Sequence, residues 1–191
     1  TSGLLVIAKN NLAHSNLGNQ FNKHTIERKY IMLIWGVIRP LEGKIITKIS
    51  RSKKNRQLME VNDLKGKKAI TNYKTIKVFN IEDIPRISLI ECTLETGRTH
   101  QIRAHFKYLG HPLFNDAEYG GDAILKGTTF SKYKQFVQNC FKICPRQALH
   151  AKSLEFEHPT SKKNVSFVSD LPDDMKNLVE KWRNYSKNQK L

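Results

Sequence analysis

Acidic residues are scarce in this chain: 17 Asp and Glu stand against 33 Lys and Arg among 191 residues, a net charge of +16. The excess is spread along the chain rather than gathered in one tail. It describes a surface suited to a polyanion, with nucleic acid ahead of an anionic membrane face. Lys and Asn are also abundant where genome composition favours them, which discounts the charge without cancelling it. Cysteine is nearly absent. Cys92, Cys140 and Cys144 form an odd set without paired metal-ligand spacing. That argues against a disulfide-stapled secreted module and for a reducing, cytoplasmic setting. No apolar run approaches the roughly 18 residues of a membrane helix, and no signal-peptide pattern opens the chain. What remains is the composition of a folded protein, 39% hydrophobic and 26% charged. One domain of this length buries about 70% of its unfolded surface and needs neither disulfides nor metal to stand.

The patterning predicts strands alternating with helices. Leu4 to Ala8 reads as a short buried strand, followed by a helix from about Asn11 with Ala13, Leu17 and Phe21 at helical spacing. Further strands are expected at Lys29–Trp35, which ends at Gly36, at Gly43–Ser50, at Ala69–Phe79 and at Ile87–Glu95. In the last of these Ser88, Ile90, Cys92 and Leu94 would share a face. Between Arg51 and Lys68 a basic, weakly apolar stretch reads as an exposed loop or hairpin. A short helix is predicted over Thr99–Leu109, stopped by Gly110 and Pro112, and another near Lys132–Phe141. After these come strands at Ala148–Glu157 and Val165–Val168 and a closing amphipathic helix that begins near Asp173 and Asp174. The chain opens on Thr1 and enters its apolar stretch almost at once, so a preceding segment is expected. No internal repeat or second domain is visible.

The densest polar group is Gly97-Arg98-Thr99-His100-Gln101-Ile102-Arg103-Ala104-His105, where a strand gives way to a helix. His100, Arg103 and Lys107 would share a helical face away from the apolar one, suited to gripping an anion. On spacing alone an ordinary solvated helix face explains them as well. His100, His105 and His111 lack the i, i+4 spacing of a zinc pair and have no completing ligand. No metal is expected. Cys140 and Cys144 are expected to be buried structural thiols.

At this point the sequence stops being generic. The run Thr96-Gly97-Arg98-Thr99-His100-Gln101-Ile102-Arg103-Ala104-His105-Phe106, continuing through Leu109-Gly110-His111-Pro112-Leu113 to Asn115-Asp116, resembles the third signature motif of RluA-type RNA pseudouridine synthases. Thr1-Ser2-Gly3-Leu4-Leu5-Val6 resembles the tail of the family's first motif, and Lys29-Tyr30 entering a strand that ends at Gly36 resembles the second. Leu149-His150-Ala151, with Leu154 and His158-Pro159 beyond, resembles the late strand that lines the family's active site. These segments span essentially the whole chain.

The resemblance implies an α+β domain, residues 1–191, built on a mixed, largely antiparallel bent sheet flanked by helices. The family's first motif reads His-Arg-Leu-Asp, two variable residues, then Thr-Ser-Gly. Its catalytic Asp would therefore stand three residues before Thr1, together with N-terminal strands and, in many relatives, an S4-type RNA-binding domain. The implied reaction isomerises uridine within RNA without cofactor or metal, acting on a base flipped out of the fold. Ribosomal RNA is the first expectation and transfer RNA the second. Tyr30 matches the tyrosine that stacks on the flipped base and takes the C5 proton. Arg103 matches the arginine that pairs with the catalytic Asp, with Arg98 its competitor for that role. Arg98, Thr99, His100 and Gln101 are expected at the substrate, with Arg98 and His100 contacting RNA or bracing the loop, and Leu149 as an apolar wall under the uracil. Asp116 is expected to be structural. Arg51, Lys53, Lys54 and Arg56 are expected at RNA phosphates. A non-catalytic RNA-binding protein is the alternative, since the carboxylate lies outside the chain.

Overall fold

The computed structural model describes residues 1–81, 84–128 and 130–188. An interior strand of its sheet is β2 (Glu27–Trp35), whose side chains point alternately to opposite faces. Both faces are covered. Leu33 and Trp35 enter one core with Phe79 and Ile87, while Met32 and Ile34 enter a second with Ile90 and Cys92. A strand buried on both sides must be apolar throughout, which is why Ile31 to Trp35 is an unbroken run. Gly36 then turns the chain at a φ of +77°.

The remaining strands are β1 (Ser2–Gly3), β3 (Glu42–Arg51), β4 (Met59–Val61), β5 (Lys67–Ile81), β6 (Ile84–Leu94), β7 (Leu149–Glu157) and β8 (Asn164–Val168). They form one sheet in the order β1-β7-β2-β6-β5-β3-β4, with β8 pairing to β7 on the edge that β1 also uses. Only β1 runs parallel to its partner. Helices α3 (Ser131–Ile143) and α4 (Asp173–Asn188) cover the first face through Val137, Cys140, Met175, Leu178 and Trp182. Helix α2 (Gln101–Tyr108) covers the second through Ile102 and Phe106. Helix α1 (Asn11–Lys23) is capped by Asn10, whose side chain accepts from the Ala13 N–H at 2.8 Å, and it lays Leu17 against Leu154 and Phe156. This is the expected mixed, largely antiparallel α+β sheet with flanking helices. Ser88, Ile90, Cys92 and Leu94 are buried together as predicted, and so are Cys140 and Cys144.

The opening segment differs from expectation. Strand pairing is confined to Ser2–Gly3 and closes with the Leu4 N–H donating to the Ala151 carbonyl at 3.1 Å; the chain then runs on outside any strand to Ala8, with Leu4, Val6 and Ala8 against the α1 core while Leu5 and Ile7 are 81% and 75% exposed. The reason is edge competition: β7 gives its outer edge to β1 at His150 and Ala151 and to β8 from Ser153 onward, so nothing is left for residues after Leu4. Gly3 is essential to that arrangement. It sits at φ +94°, and a Cβ there would overlap the Ala151 carbonyl. Gly3→Ala is expected to cost about 2 kcal/mol of strain, a fall in Tm of roughly 4–8 °C for a chain of this size. An unchanged melting temperature would mean that the segment is not held on β7.

Candidate active site

The turn from β6 into α2 is held from within. Gln101, expected at the substrate, is 2% exposed and has no spare hydrogen-bonding capacity. Its Oε1 accepts from Thr96 Oγ1 at 2.8 Å and from the Arg98 N–H at 3.0 Å, and its Nε2 donates to the Ile70 carbonyl and to Thr71 Oγ1, both at 3.0 Å. Gln101 therefore pins the motif to β5. Thr99 is exposed, and Arg98 donates from Nε to the Lys68 carbonyl at 3.0 Å, which braces the loop. His100 precedes α2 in the left-handed region at φ 52°. Its Nδ1 lies 3.1 Å from the hydroxyl of Tyr119. Burial, with Arg103 adding to it, lowers the His100 pKa and favours the neutral ring.

Arg103 is buried rather than presented on an open anion-gripping face. Its Nε donates to Asp116 Oδ2 at 2.8 Å and its Nη2 to Asp116 Oδ1 at 2.6 Å, a bidentate pair in which Asp116 is fully buried. The same Nη2 reaches Glu118 Oε2 at 2.6 Å, and the guanidinium lies 4.7 Å over the Tyr119 ring. Burial works against the Arg103 charge, and the hydrogen bonds and charges of Asp116 and Glu118 more than offset it, so the pKa is raised. These bonds engage Nε and Nη2, and none among the described residues engages Nη1. The competitor Arg98 stays on the outer side of the loop, at the Lys68 carbonyl.

The N-terminal segment reaches the same place. Ser2 Oγ lies 3.0 Å from His150 Nδ1 and accepts from Arg146 Nη2 at 3.1 Å; Arg146 also holds Asp174 at the start of α4 and the Leu149 carbonyl. The charges of Arg146, Arg103 and Asp116 all act at the Thr1 nitrogen. The chain at Thr1 is thus within electrostatic reach of Arg103. Leu149 is 4% exposed and shares a core with Ile102, Phe106 and Met32, against which Tyr30 packs half-buried. Tyr30 stands between Cys92 on β6 and Ala151 on β7.

Sequence reasoning missed Tyr119 and Arg146. Tyr119 carries Arg103 on its ring face, accepts the Met59 N–H at 3.0 Å and bonds His100, tying four segments together. Its signal was an aromatic residue before Gly120-Gly121 and three residues after Asp116. Arg146 had no signal, because its partners lie far away in sequence.

Arg51, Lys53, Lys54 and Arg56 are all exposed around the β3–β4 hairpin, and none joins an ion pair among the described residues. Arg51 donates to the Arg56 carbonyl at 2.8 Å. Beside it lies a cavity of about 400 Å³ lined by Arg51, Lys67, Arg98 and Thr99 and by no acid.

His105 is the buried titratable group behind the site. It is wedged between Thr47 Oγ1 and Thr71 Oγ1, each at 2.9 Å, and burial pushes its pKa down to about 4. The unfolded chain therefore takes up this proton first. The contribution of His105 is complete above pH 6.5 and is lost as pH falls from 6.5 toward about 4. His105→Gln is expected to remove about 3 kcal/mol of acid sensitivity over that window, read from urea melts at successive pH values. Parallel pH profiles for parent and variant would refute it.

The architecture matches known folds. The solved human RNA pseudouridylate synthase domain containing 1 aligns with a TM-score of 0.62 and 22% identity over 92% of this chain and 73% of its own, so the fold is that of a pseudouridylate synthase domain. A model of the RNA pseudouridylate synthase family matches residues 1–108. A Chlorobaculum parvum protein named as an uncharacterized RNA pseudouridine synthase is 43% identical over 96% of this chain and 55% of its own length. The ribosomal large subunit pseudouridine synthase D of Zymomonas mobilis is 42% identical over 94% of this chain and 52% of its own. The chain belongs to the RNA pseudouridylate synthase family and is of the RluA type. It spans about half the length of the curated relatives it matches.

Proposed function

We propose that this chain is the catalytic core of a cytoplasmic RNA pseudouridine synthase acting on the large ribosomal subunit RNA. The observation that carries the reading is the convergence of Thr1, Arg103 and Asp116. The family's catalytic Asp would stand three residues before Thr1, and a chain arriving at Thr1 brings that carboxylate toward Arg103. With Nε and Nη2 committed to Asp116, Nη1 is the natural donor to a second carboxylate, holding it ionised. Residues before Thr1 would also complete the sheet, with any S4-type domain beyond them.

In the reaction the N1–C1′ bond of uridine breaks, the base turns, and C5 joins C1′; the proton lost from C5 is balanced by one gained at N1. Leu149 supplies an apolar wall and Tyr30 the stacking ring. The flipped base costs a few kcal/mol to extrude, offset by phosphate contacts at Arg51, Lys53, Lys54, Arg56, Arg98 and Thr99. His100 and Gln101 act through the loop rather than on the base.

The test is to incubate the full-length protein with unmodified ribosomal and transfer RNA and to measure pseudouridine by nucleoside mass spectrometry. Ribosomal product supports the proposal. Product in transfer RNA alone replaces the substrate, and binding without turnover leaves an RNA-binding protein. The acid-free cavity gives a second prediction. Arg51→Gln, Lys67→Gln and Arg98→Gln are each expected to reduce the slope of log affinity against log salt by about 0.7–0.9. Unchanged slopes would remove this cavity from the RNA path.

A further inference from the structure

Arg28 precedes Tyr30 by two residues on β2, and the reaction as described gives it no task. The other deeply placed arginines near the site have acids: Arg103 pairs with Asp116 and Arg146 with Asp174. Arg28 joins none of the ion pairs among the described residues, and its Nε is buried without a hydrogen-bond partner. A guanidinium so placed gives up hydration and regains nothing from a carboxylate. Its position is nonetheless built. Its Cζ lies 5.4 Å over the Phe21 ring, and its Nη1 fills the space beside Gly97 that a Cβ would take. Any side chain at Gly97 would expel it.

Arg28 and Tyr30 line the same cavity of about 130 Å³, whose other walls include Leu4, Val6 and Ala151. The groups that face Tyr30 are few. Cys92 opposes it on β6, and burial holds that thiol protonated; β7 presents Ala151, and the N-terminal segment presents apolar side chains. Burial raises the Tyr30 pKa, and Arg28 is the charge that pulls it back down. Burial likewise lowers the pKa of Arg28, and Tyr30 is the group that raises it. An acid-free cation, placed at a structural cost beside one tyrosine, has the chemistry of a phenolate partner.

We propose that Arg28 is the positioning residue of Tyr30, orienting the phenol and stabilising its anionic form so that Tyr30 accepts the C5 proton of the rearranged uridine. In that step the C5–H bond breaks and the phenolate O–H bond forms. The C–H electron pair becomes the C5=C6 double bond, the N1=C6 π pair moves onto N1, which takes a proton, and Tyr30 returns its own to solvent. This inference rests on the pseudouridine synthase reading.

The test titrates Tyr30 directly. The protein is labelled with tyrosine carrying ¹³C at Cζ, the Tyr30 resonance is assigned by its loss in Tyr30→Phe, and its titration is followed in the parent, Arg28→Gln and Arg28→Lys. Tyr30 is expected to titrate at higher pH in Arg28→Gln and to return toward the parent in Arg28→Lys. In the full-length protein, kcat of Arg28→Gln is expected to fall roughly 10–100-fold, with KM for RNA unchanged and the alkaline rise of the rate moved upward in pH. An unmoved Tyr30 titration in folded Arg28→Gln overturns the proposal, as does a raised KM with kcat intact. The titration needs no turnover. A parent that makes no pseudouridine therefore defeats the function, and an unmoved resonance in an active parent defeats the coupling alone.

Discussion

Arg103→Met is expected to lose about 3–5 kcal/mol of folding stability, a large fraction of the roughly 5–15 kcal/mol that separates a native domain from its unfolded chain. Removing the guanidinium leaves Asp116 fully buried, without its two charge-assisted bonds and out of reach of water. It also takes the cation from the face of Tyr119, whose hydroxyl links β4 to the start of α2. Asp116→Asn is expected to destabilise by a similar route, since an amide cannot accept both donors. The double variant should cost much less than the sum, because each single change already breaks the same pair. Glu118→Gln is the internal control: its carboxylate is 50% exposed, so its loss is expected to stay within about 1 kcal/mol. Urea denaturation of the four proteins gives the cycle. Additive losses would mean that Arg103 and Asp116 are not energetically coupled, and Arg103 would then be free to serve only an incoming carboxylate.

Much of this site was legible because local chemistry and motif agreed. The strand-to-helix junction at Thr96–Gln101 carries a strand pattern of period two, a Gly break and a helix ended by Gly110, and the structure places α2 there. The apolar run at Lys29–Trp35 likewise announced a strand, and the helices on either side of the sheet show that both its faces are covered. What was not legible depended on partners remote in sequence. Leu4 to Ala8 has the composition of a strand, but whether it pairs is decided by β8 taking the edge of β7 some 150 residues later. Gln101 looked like a substrate ligand because an amide in a polar motif has no sequence sign of inward or outward direction, and only the nearness of Ile70 and Thr71 on β5 turns it in. The pairing of Arg103 with Asp116 was not legible for a similar reason. Asp116 lies 13 residues away with two turns between them, and no periodicity brings the two together.

Tyr30→Phe is expected to leave the fold and RNA binding almost unchanged and to slow turnover by roughly 100–10,000-fold. The contrast between the two effects carries the argument. The ring of Tyr30 packs on the Met32, Leu149 and Ile102 core, and phenylalanine keeps that contact. Tyr30 lines a small cavity together with Arg28, and its hydroxyl takes part in none of the hydrogen bonds found among the described side chains. Deleting it leaves no protein partner unsatisfied, so stability should move by no more than about 0.5 kcal/mol. A tyrosine retained for packing alone would then have no measurable consequence in any assay. If the hydroxyl is the group that receives the C5 proton, stacking and affinity survive with the ring while the step that releases product loses its base. Thermal unfolding, RNA affinity at fixed salt and single-turnover pseudouridine formation measured on the same preparation separate the two cases. Near-parental turnover in a stable, RNA-binding Tyr30→Phe would return this residue to the core, and with it Arg28 would lose the phenolate that it is proposed to stabilise.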